Sequence, residues 1–510
     1  MPLRRTLPVA ALAAVILCAP LCAQEPADWV DPFIGTTNFG TTNPGAVCPN
    51  GMMSVVPFNV MGSDENLYDK DARWWSAPYE YRNKFFTGFA HVTLSGVGCP
   101  ELGSLLVMPT AGALDVDYRN YGSAYTGQTA SPGYYSNLLT KYGIRTEVTA
   151  TPRTSAERYT FPEGTGHILL NLGEGLTNES GAWVRRVSDT EVEGMKLLGT
   201  FCYNPQKVFP VYFVLRVTKT PSSSGYWKKQ RPMTGVEAEW TPDNGKYKLY
   251  TEYGREMAGD DVGYWFSYDM QPGEQVEVRM GVSFVSAENA RLNLEAEQQG
   301  RSFDDIRAAA RRTWNDDLGR IRVEGGTAER IALPCPFSWP LRTANLKRCL
   351  LVTRLPIEGK TEDSVKQELV IVNLHLEAYD DGEGKAAQTA LLLKILQEEY
   401  EKGNYVIAGG DFNQCFPGTQ SRYPFKETSE WTPGLLESNL PAGWSYAYDA
   451  STPTCRLLNQ PLDRTSSLTQ YYVIDGFIVS PNVKINSVET LDQGFRYTDH
   501  NPVLLEIELE

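Results

Sequence analysis

Apolar residues change their spacing twice along this 510-residue chain, so no single repeated architecture can span it. From Trp29 to about Ser286 the spacing is that of strands. Val211-Tyr-Phe-Val-Leu-Arg-Val reads as a buried strand, and residues 246–252 and 275–281 alternate with period two. Pro-Gly, Asp-Asn-Gly and Ser-Ser-Ser-Gly sites mark the turns between them. Many strands without intervening helices predict an all-β sandwich.

The first change comes at residue 287. Phe303, Ile306, Ala310, Trp314 and Leu318 recur at helical spacing, and the stretch gives out before Gly325-Gly326. The second follows Glu329. Residues 349–353, 368–373 and 405–408 read as buried strands. Between the last two, residues 385–402 place Ala386, Leu392, Leu393, Leu396 and Tyr400 on one helical side. Strand, helix, strand is an α/β signal. Residues 333–340 match neither neighbour. The expected division is a leader at 1–23, a sandwich at 24–286, linker helices at 287–328 and an α/β part at 329–510.

The leader is set apart by its own pattern. Arg4 and Arg5 precede an apolar run from Leu7 to Leu21 that ends in Ala23-Gln24. That order is a secretory signal, too short for a membrane span, with cleavage expected after Ala23. No later stretch is long and apolar enough to span a bilayer. The mature chain is therefore expected to be exported, periplasmic or extracellular, without a transmembrane segment. Seven cysteines remain beyond the leader, widely spaced and with no Cys-x-x-Cys pair, which argues against a zinc site. The net charge of −15 gives no basic footprint for strong nucleic-acid binding.

The chain has only four histidines, and two of them fall beyond 329. There, polar clusters stand in or beside apolar strands: Asn373-Leu-His375, Gly409-Gly-Asp-Phe-Asn413, Val473-Ile-Asp475 and Thr498-Asp-His500. Strand ends in α/β patterns are where ligand sites commonly form. Asp411, Asn413, Asp475, Asp499, His375 and His500 make a kit for attack on a phosphoester. A hard Mg²⁺ held by carboxylates neutralises the anion, and a carboxylate or histidine orients the water. Each cluster alone also reads as a strand cap or a paired structural residue.

Two resemblances follow from these motifs. Val30-Asp-Pro-Phe-Ile-Gly35, Asn43-Pro-Gly-Ala46, Pro49-Asn-Gly-Met52, the segment 88–98 (GFAHVTLSGVG), Leu105-Leu-Val-Met-Pro109 and Gly199-Thr-Phe-Cys-Tyr203 are similar to the amino-terminal domain of glycoside hydrolase family 92. That family consists of exo-acting, calcium-dependent α-mannosidases. The resemblance implies a β-sandwich leading through linker helices into an (α/α)₆ barrel, which carries the Ca²⁺ ligands and the catalytic carboxylates. The chain departs from the pattern at Thr93, where the family has a second histidine, and again after the linker, where no barrel follows. Inverting hydrolysis needs two carboxylates about 6.5–9.5 Å apart. None is assignable in residues 24–328, and neither is a Ca²⁺ site. What the resemblance leaves is a platform for α-mannosides. Trp74 and Trp75 either face a sugar ring or pack beneath their own loop, and His91 either bonds sugar hydroxyls or is a structural histidine.

Residues 345–508 resemble the carboxyl half of the endonuclease/exonuclease/phosphatase superfamily, a four-layer α/β sandwich. The resemblance implies that Asp411 orients the attacking water with Asn413 beside it, and that Asp411 and Asp499 lie at the metal, Mg²⁺ or Mn²⁺. His500 would face the phosphate, held by Asp475, and His375 would contact it from the other side. Asn373 would share the pocket, and Arg456 would border the substrate. The family's first strand, with its Asn, and its metal-binding Glu should precede residue 345 but do not. Gln367-Glu368 stands in the wrong place to replace that Glu. The expectation is therefore a chimeric hydrolase in which a small phosphoester is hydrolysed with weakened metal affinity. The sheet should be left with an open edge, unless a partner chain supplies the missing halves.

Overall fold

The computed structural model describes residues 24–509 apart from 38–39, 64–76, 97–101, 177–180, 199–207, 231–245, 252, 255, 321–325, 337–346, 358–366, 380–382, 427–430, 438–439, 460–461, 463–468 and 497. The chain forms two compact units, residues 1–320 and 321–510. The signal, Trp74, Trp75 and the motif 199–203 lie outside the described residues.

The first unit is a sandwich of an eight-stranded and a ten-stranded sheet, with every described pairing antiparallel. The strands Gly88–Thr93, Leu102–Ala111, Gly164–Asn171 and Val262–Met270 belong to the first sheet. Tyr134–Leu139, Ile144–Ala150, Phe209–Val217 and Gln275–Ser283 belong to the second. Their inward residues share one core, with Phe89, Val107, Leu169 and Tyr264 from one side and Tyr135, Val148, Phe213 and Met280 from the other. Burial at these positions offsets the conformational entropy of so many ordered strands.

The helical stretch is two helices, Ala287–Gln298 and Phe303–Leu318, parted where Gly300 takes φ +72°. Ser286 and Ser302 cap them by accepting from the amides of Asn289 and Asp305, each at 3.1 Å. The first helix lies so close to the second sheet that a Cβ on Gly281 would meet the carbonyl oxygen of Ala290 at 2.3 Å. Phe303 and Ile306 of the second helix pack against Tyr134 and Ala156.

The second unit is built on a six-stranded sheet. Its order is Thr327–Ala332, Cys349–Pro356, Glu368–His375, Tyr405–Asp411, Asp475–Val479 and Ser445–Ala447. Within this sheet, among the described residues, only Glu368–His375 and Tyr405–Asp411 run parallel, and the helix Glu383–Glu401 connects them. One face, carrying Leu350, Val352, Val370, Val372, Val406 and Ala408, is buried with Leu392, Ile395 and Leu396 of that helix. Ala386, placed by the sequence on the apolar side, is exposed, because Gly384, Lys385 and Gln388 turn inward instead. The other face is covered in part by the hairpin Val483–Thr490 and Val503–Leu509, which packs on Tyr405, Ile407 and Val479. Leu351 and Ile371 on that face remain 48% and 38% exposed, so the layer is incomplete there.

Among the described residues the sheet keeps the expected open edge, one strand further out than the sequence reading placed it. Thr327–Ala332, read from sequence as a boundary, pairs antiparallel with Cys349–Pro356 and ends the sheet there. It is short, exposed and charged, features that discourage edge-to-edge association. Arg354 ties it down, donating to Glu329 at 2.6 Å and to Glu399 at 2.8 Å.

Candidate active site

Strand register gathers the polar clusters of the second unit. His375 stands opposite Asp411 in the parallel pair, and Asp411 stands opposite Asp475 in the antiparallel pair. Three neighbouring strands therefore end in a histidine and two aspartates. Gly410 makes this approach feasible, because its φ of +145° would strain any side chain and a Cβ there would meet the Leu374 oxygen at 2.0 Å. His500 arrives from the loop before the last strand. Its Nδ1 donates to Asp475 Oδ2 at 2.9 Å, and its Nε2 lies 4.0 Å from Asp411 Oδ2. His375 Nε2 lies 3.4 Å from the same Asp411 oxygen.

Asn413 takes φ +49°, which lets its amide donate to Asp411 Oδ1 at 2.7 Å while its side chain donates to the Leu376 oxygen at 2.9 Å. It holds the Asp411 loop in place. Thr454 Oγ1 accepts from the amides of Ile474 and Asp475, at 2.9 and 3.0 Å. Beside these residues opens a cleft of about 470 Å³, lined by Ile371, Asn373, Gly409, Asp475, Phe477 and His500 among others.

The electrostatics follow from burial and neighbours. Burial, with the nearby Asp475 carboxylate, pushes Asp411 up to about 7 against the pull of Asn413, His500 and Arg348. Burial, with Arg348 and His500, lowers His375 to about 4, so it is a neutral imidazole near pH 7. Burial also pulls His500 down, but its bond to Asp475 and the neighbouring Cys455 thiol outweigh that and carry it to about 12.

Not every sequence-derived residue joins this cluster. Asp499 groups with Cys455 and His500, whereas Asp411 groups with Asp475 and His500. Arg456 donates its amide to the Asp499 oxygen at 3.0 Å and a guanidinium nitrogen to the Leu457 oxygen at 3.3 Å. Glu368 begins the strand that His375 ends, about 20 Å away along the chain, and cannot serve the cluster. Two neighbours escaped the sequence reading. Arg348, 6% exposed, lies 3.6 Å from Glu377 Oε2, and Glu377 is itself 2% exposed. Charged residues directly before and after apolar strands were the available signal.

In the first unit the expected sugar contact from His91 is corrected. The ring is fully buried, with Nδ1 2.7 Å from the Leu105 oxygen and Nε2 2.9 Å from Glu157 Oε1, so both nitrogens are taken internally. A bulge after Phe89 and the positive φ of Val92, +58°, turn it into the sandwich. His167 is likewise held, by Ser267 at 2.7 Å and the Gly112 oxygen at 2.9 Å.

Comparison with known proteins gives family matches over the first unit and the start of the second. Residues 29–283 match the glycosyl hydrolase family 92 N-terminal domain, and residues 289–333 match the glycosyl hydrolase family 92 catalytic domain. An uncharacterized secreted glycosidase of Arthroderma benhamiae is 24% identical over 334 residues, which is 61% of this chain and 40% of that protein. The structure of a family GH92 α-mannosidase from Bacteroides thetaiotaomicron in complex with mannoimidazole is 27% identical with a TM-score of 0.50, covering 60% of this chain and 38% of that one. The chain thus spans about two fifths of the length of these relatives. A structure of humanized D. rerio TDP2 aligns with 36% of this chain and 68% of its own at 19% identity, but its TM-score of 0.23 is too low to define a shared fold. Through the N-terminal domain that fills half of its length, the chain belongs to glycosyl hydrolase family 92.

Proposed function

We propose that the second unit hydrolyses a small phosphoester with a divalent metal, and that the first unit is a mannosidase-type sandwich accompanying it. The convergence of His375, Asp411 and Asp475 from adjacent strand ends, met by His500 from a loop, supports the hydrolytic reading most strongly. Their donor set suits a hard cation. The Asp411 and Asp475 carboxylates lie within ligating reach of each other, and their mutual repulsion is the kind a cation relieves. These two carboxylates would hold Mg²⁺ or Mn²⁺, which when bound supplies charge neutralisation at the phosphoryl oxygens. Asp411 accepts from the attacking water and orients it. His500, kept protonated and aimed by Asp475, donates to a phosphoryl oxygen. His375 is neutral and offers its ring N–H from the other side. Asn373 lines the cleft and contacts the substrate body.

The second reading is α-mannoside binding by the first unit, favoured by the family match. Trp74 and Trp75 would be its sugar-binding candidates. With the chain spanning only part of its relatives, glycoside hydrolysis is not proposed. A panel of phosphodiesters, phosphomonoesters and aryl α-mannosides, each assayed with Mg²⁺ and with chelator, tests both readings. Turnover of a phosphoester that chelation abolishes is expected. Mannoside turnover with none of phosphoester would overturn the first reading. Mannose–agarose retention unchanged in a Trp74→Ala, Trp75→Ala variant would remove the second.

A further inference from the structure

We infer that the second unit carries a site for a thiophilic divalent cation such as Zn²⁺, held by Cys455, Asp499 and His500 and distinct from the Asp411–Asp475 carboxylate pair. One thiol sulfur, one carboxylate oxygen and one imidazole nitrogen lie within 4.8 Å of one another. A tetrahedral zinc needs its ligand atoms roughly 3.5 Å apart, a distance that small side-chain rotations reach from there. Sulfur, nitrogen and oxygen from Cys, His and Asp are zinc's usual ligand types, and three protein ligands leave one position open. Mg²⁺, which takes oxygen ligands, has no use for the thiol.

The backbone fixes this arrangement. Cys455 and His500 are antiparallel bridge partners, and their side chains therefore share one face. On either side of the bridge, Arg456 N donates to the Asp499 oxygen at 3.0 Å and Asn501 N donates to the Thr454 oxygen at 2.8 Å. The Asp475 carboxylate, 2.9 Å from His500 Nδ1, supplies the outer partner that orients a metal-bound imidazole. Cys455 is 4% exposed in strand Cys455–Arg456, pinned against Tyr472, so the thiol is pre-positioned. A buried cysteine with these neighbours otherwise packs as a small apolar residue, and that is the outcome to be excluded.

His500 belongs to both clusters. A cation held by Cys455 and Asp499 would therefore withdraw His500 from the phosphate, a consequence that rests on the hydrolytic reading. The binding site itself does not.

The test uses the full chain and the metals alone, without substrate. Co²⁺ titration should give a thiolate-to-cobalt charge-transfer band, and Zn²⁺ should abolish it competitively. Cys455→Ser should remove the band. Asp499→Asn, at a partly exposed loop position, should weaken Zn²⁺ by about tenfold or more, since loss of even an outer-shell partner costs that much. Asp411→Asn should leave the band and the Zn²⁺ affinity unchanged. If cobalt gives no thiolate band, or the band survives Cys455→Ser, the site does not exist as described. Equal loss in Asp411→Asn and Asp499→Asn would place the metal in the carboxylate pair and overturn the proposal. Because no turnover is measured, failure here is distinguishable from failure of the hydrolytic reading.

Discussion

Replacing Arg348 by methionine removes one member of a buried ion pair and leaves the other in place. Arg348 and Glu377 are 6% and 2% exposed, and the closest approach, Arg348 Nε to Glu377 Oε2, is 3.6 Å. Neither of those two atoms has a hydrogen-bond partner among the described residues. The attraction is therefore coulombic, about 4–5 kcal/mol at that distance and an effective dielectric of about 20. Desolvation of both ions opposes it. Glu377 keeps its Oε1 bonds from the amides of Ala378 and Tyr379, each at 3.0 Å, so an orphaned Glu377 is still partly satisfied. Arg348→Met should therefore cost about 3 kcal/mol, the low end for breaking a buried pair. Glu377→Gln, which retains the Oε1 acceptor, should cost a similar amount by orphaning Arg348. The double variant should cost about 1 kcal/mol or less, because removing both charges also removes both desolvation terms. Hydrogen exchange of amides in Glu368–His375 and Glu383–Glu401 reads the stability of this unit without interference from the sandwich. Additive losses in the double variant would refute the reasoning, since independent side chains and not a coupled pair would then be at work.

Three further outcomes are expected. Gly410→Ala forces a Cβ against the Leu374 oxygen at a φ that L-residues rarely adopt, and should cost about 3 kcal/mol or more together with all phosphoester turnover, read by the same exchange experiment and by assay. Leu392→Ala, at a fully buried helix position against the sheet, should lower stability by about 2–5 kcal/mol in denaturant titration, and a change below about 1 kcal/mol would show that the helix is not packed as described. Glu174 in the sandwich is pushed up to about 8, first by burial and then by Asp261. The folded state then holds a proton that the unfolded chain releases at ordinary carboxyl values, so stability should fall as pH rises from about 5 to about 8. Glu174→Gln should flatten that slope in pH-dependent thermal unfolding, and an unchanged slope would assign it elsewhere.

Strands with a clear period were legible in the sequence. Val211–Val217, residues 275–281 and residues 405–408 lie within the observed Phe209–Val217, Gln275–Ser283 and Tyr405–Asp411. The strand Thr327–Ala332 was not legible, because it is an exposed edge with only Ile331 partly covered and so lacks any apolar alternation. The helix Glu383–Glu401 was found, but its inner face was misjudged where Lys385 and Gln388 are buried through specific bonds, to the Ala378 and Pro334 oxygens. At the site, Asp411, Asp475, His375 and His500 were marked by their places at strand ends, and strand pairing brought them together. Cys455 was not marked, because its partnership with His500 depends on a bridge between segments 45 residues apart in sequence. His91 was open in the sequence between a sugar ligand and a structural histidine, and the bulge next to it points the ring into the core.

The most direct test is the rate at which the full chain hydrolyses a small phosphodiester at saturating Mn²⁺, beside an Asp411→Ala variant shown by hydrogen exchange to be folded. Metal-dependent turnover that falls by about a hundredfold or more in the variant is expected, the scale on which a positioned acid or base contributes. Turnover that is absent in the folded wild-type chain, or equal in both proteins, would contradict a catalytic site at Asp411.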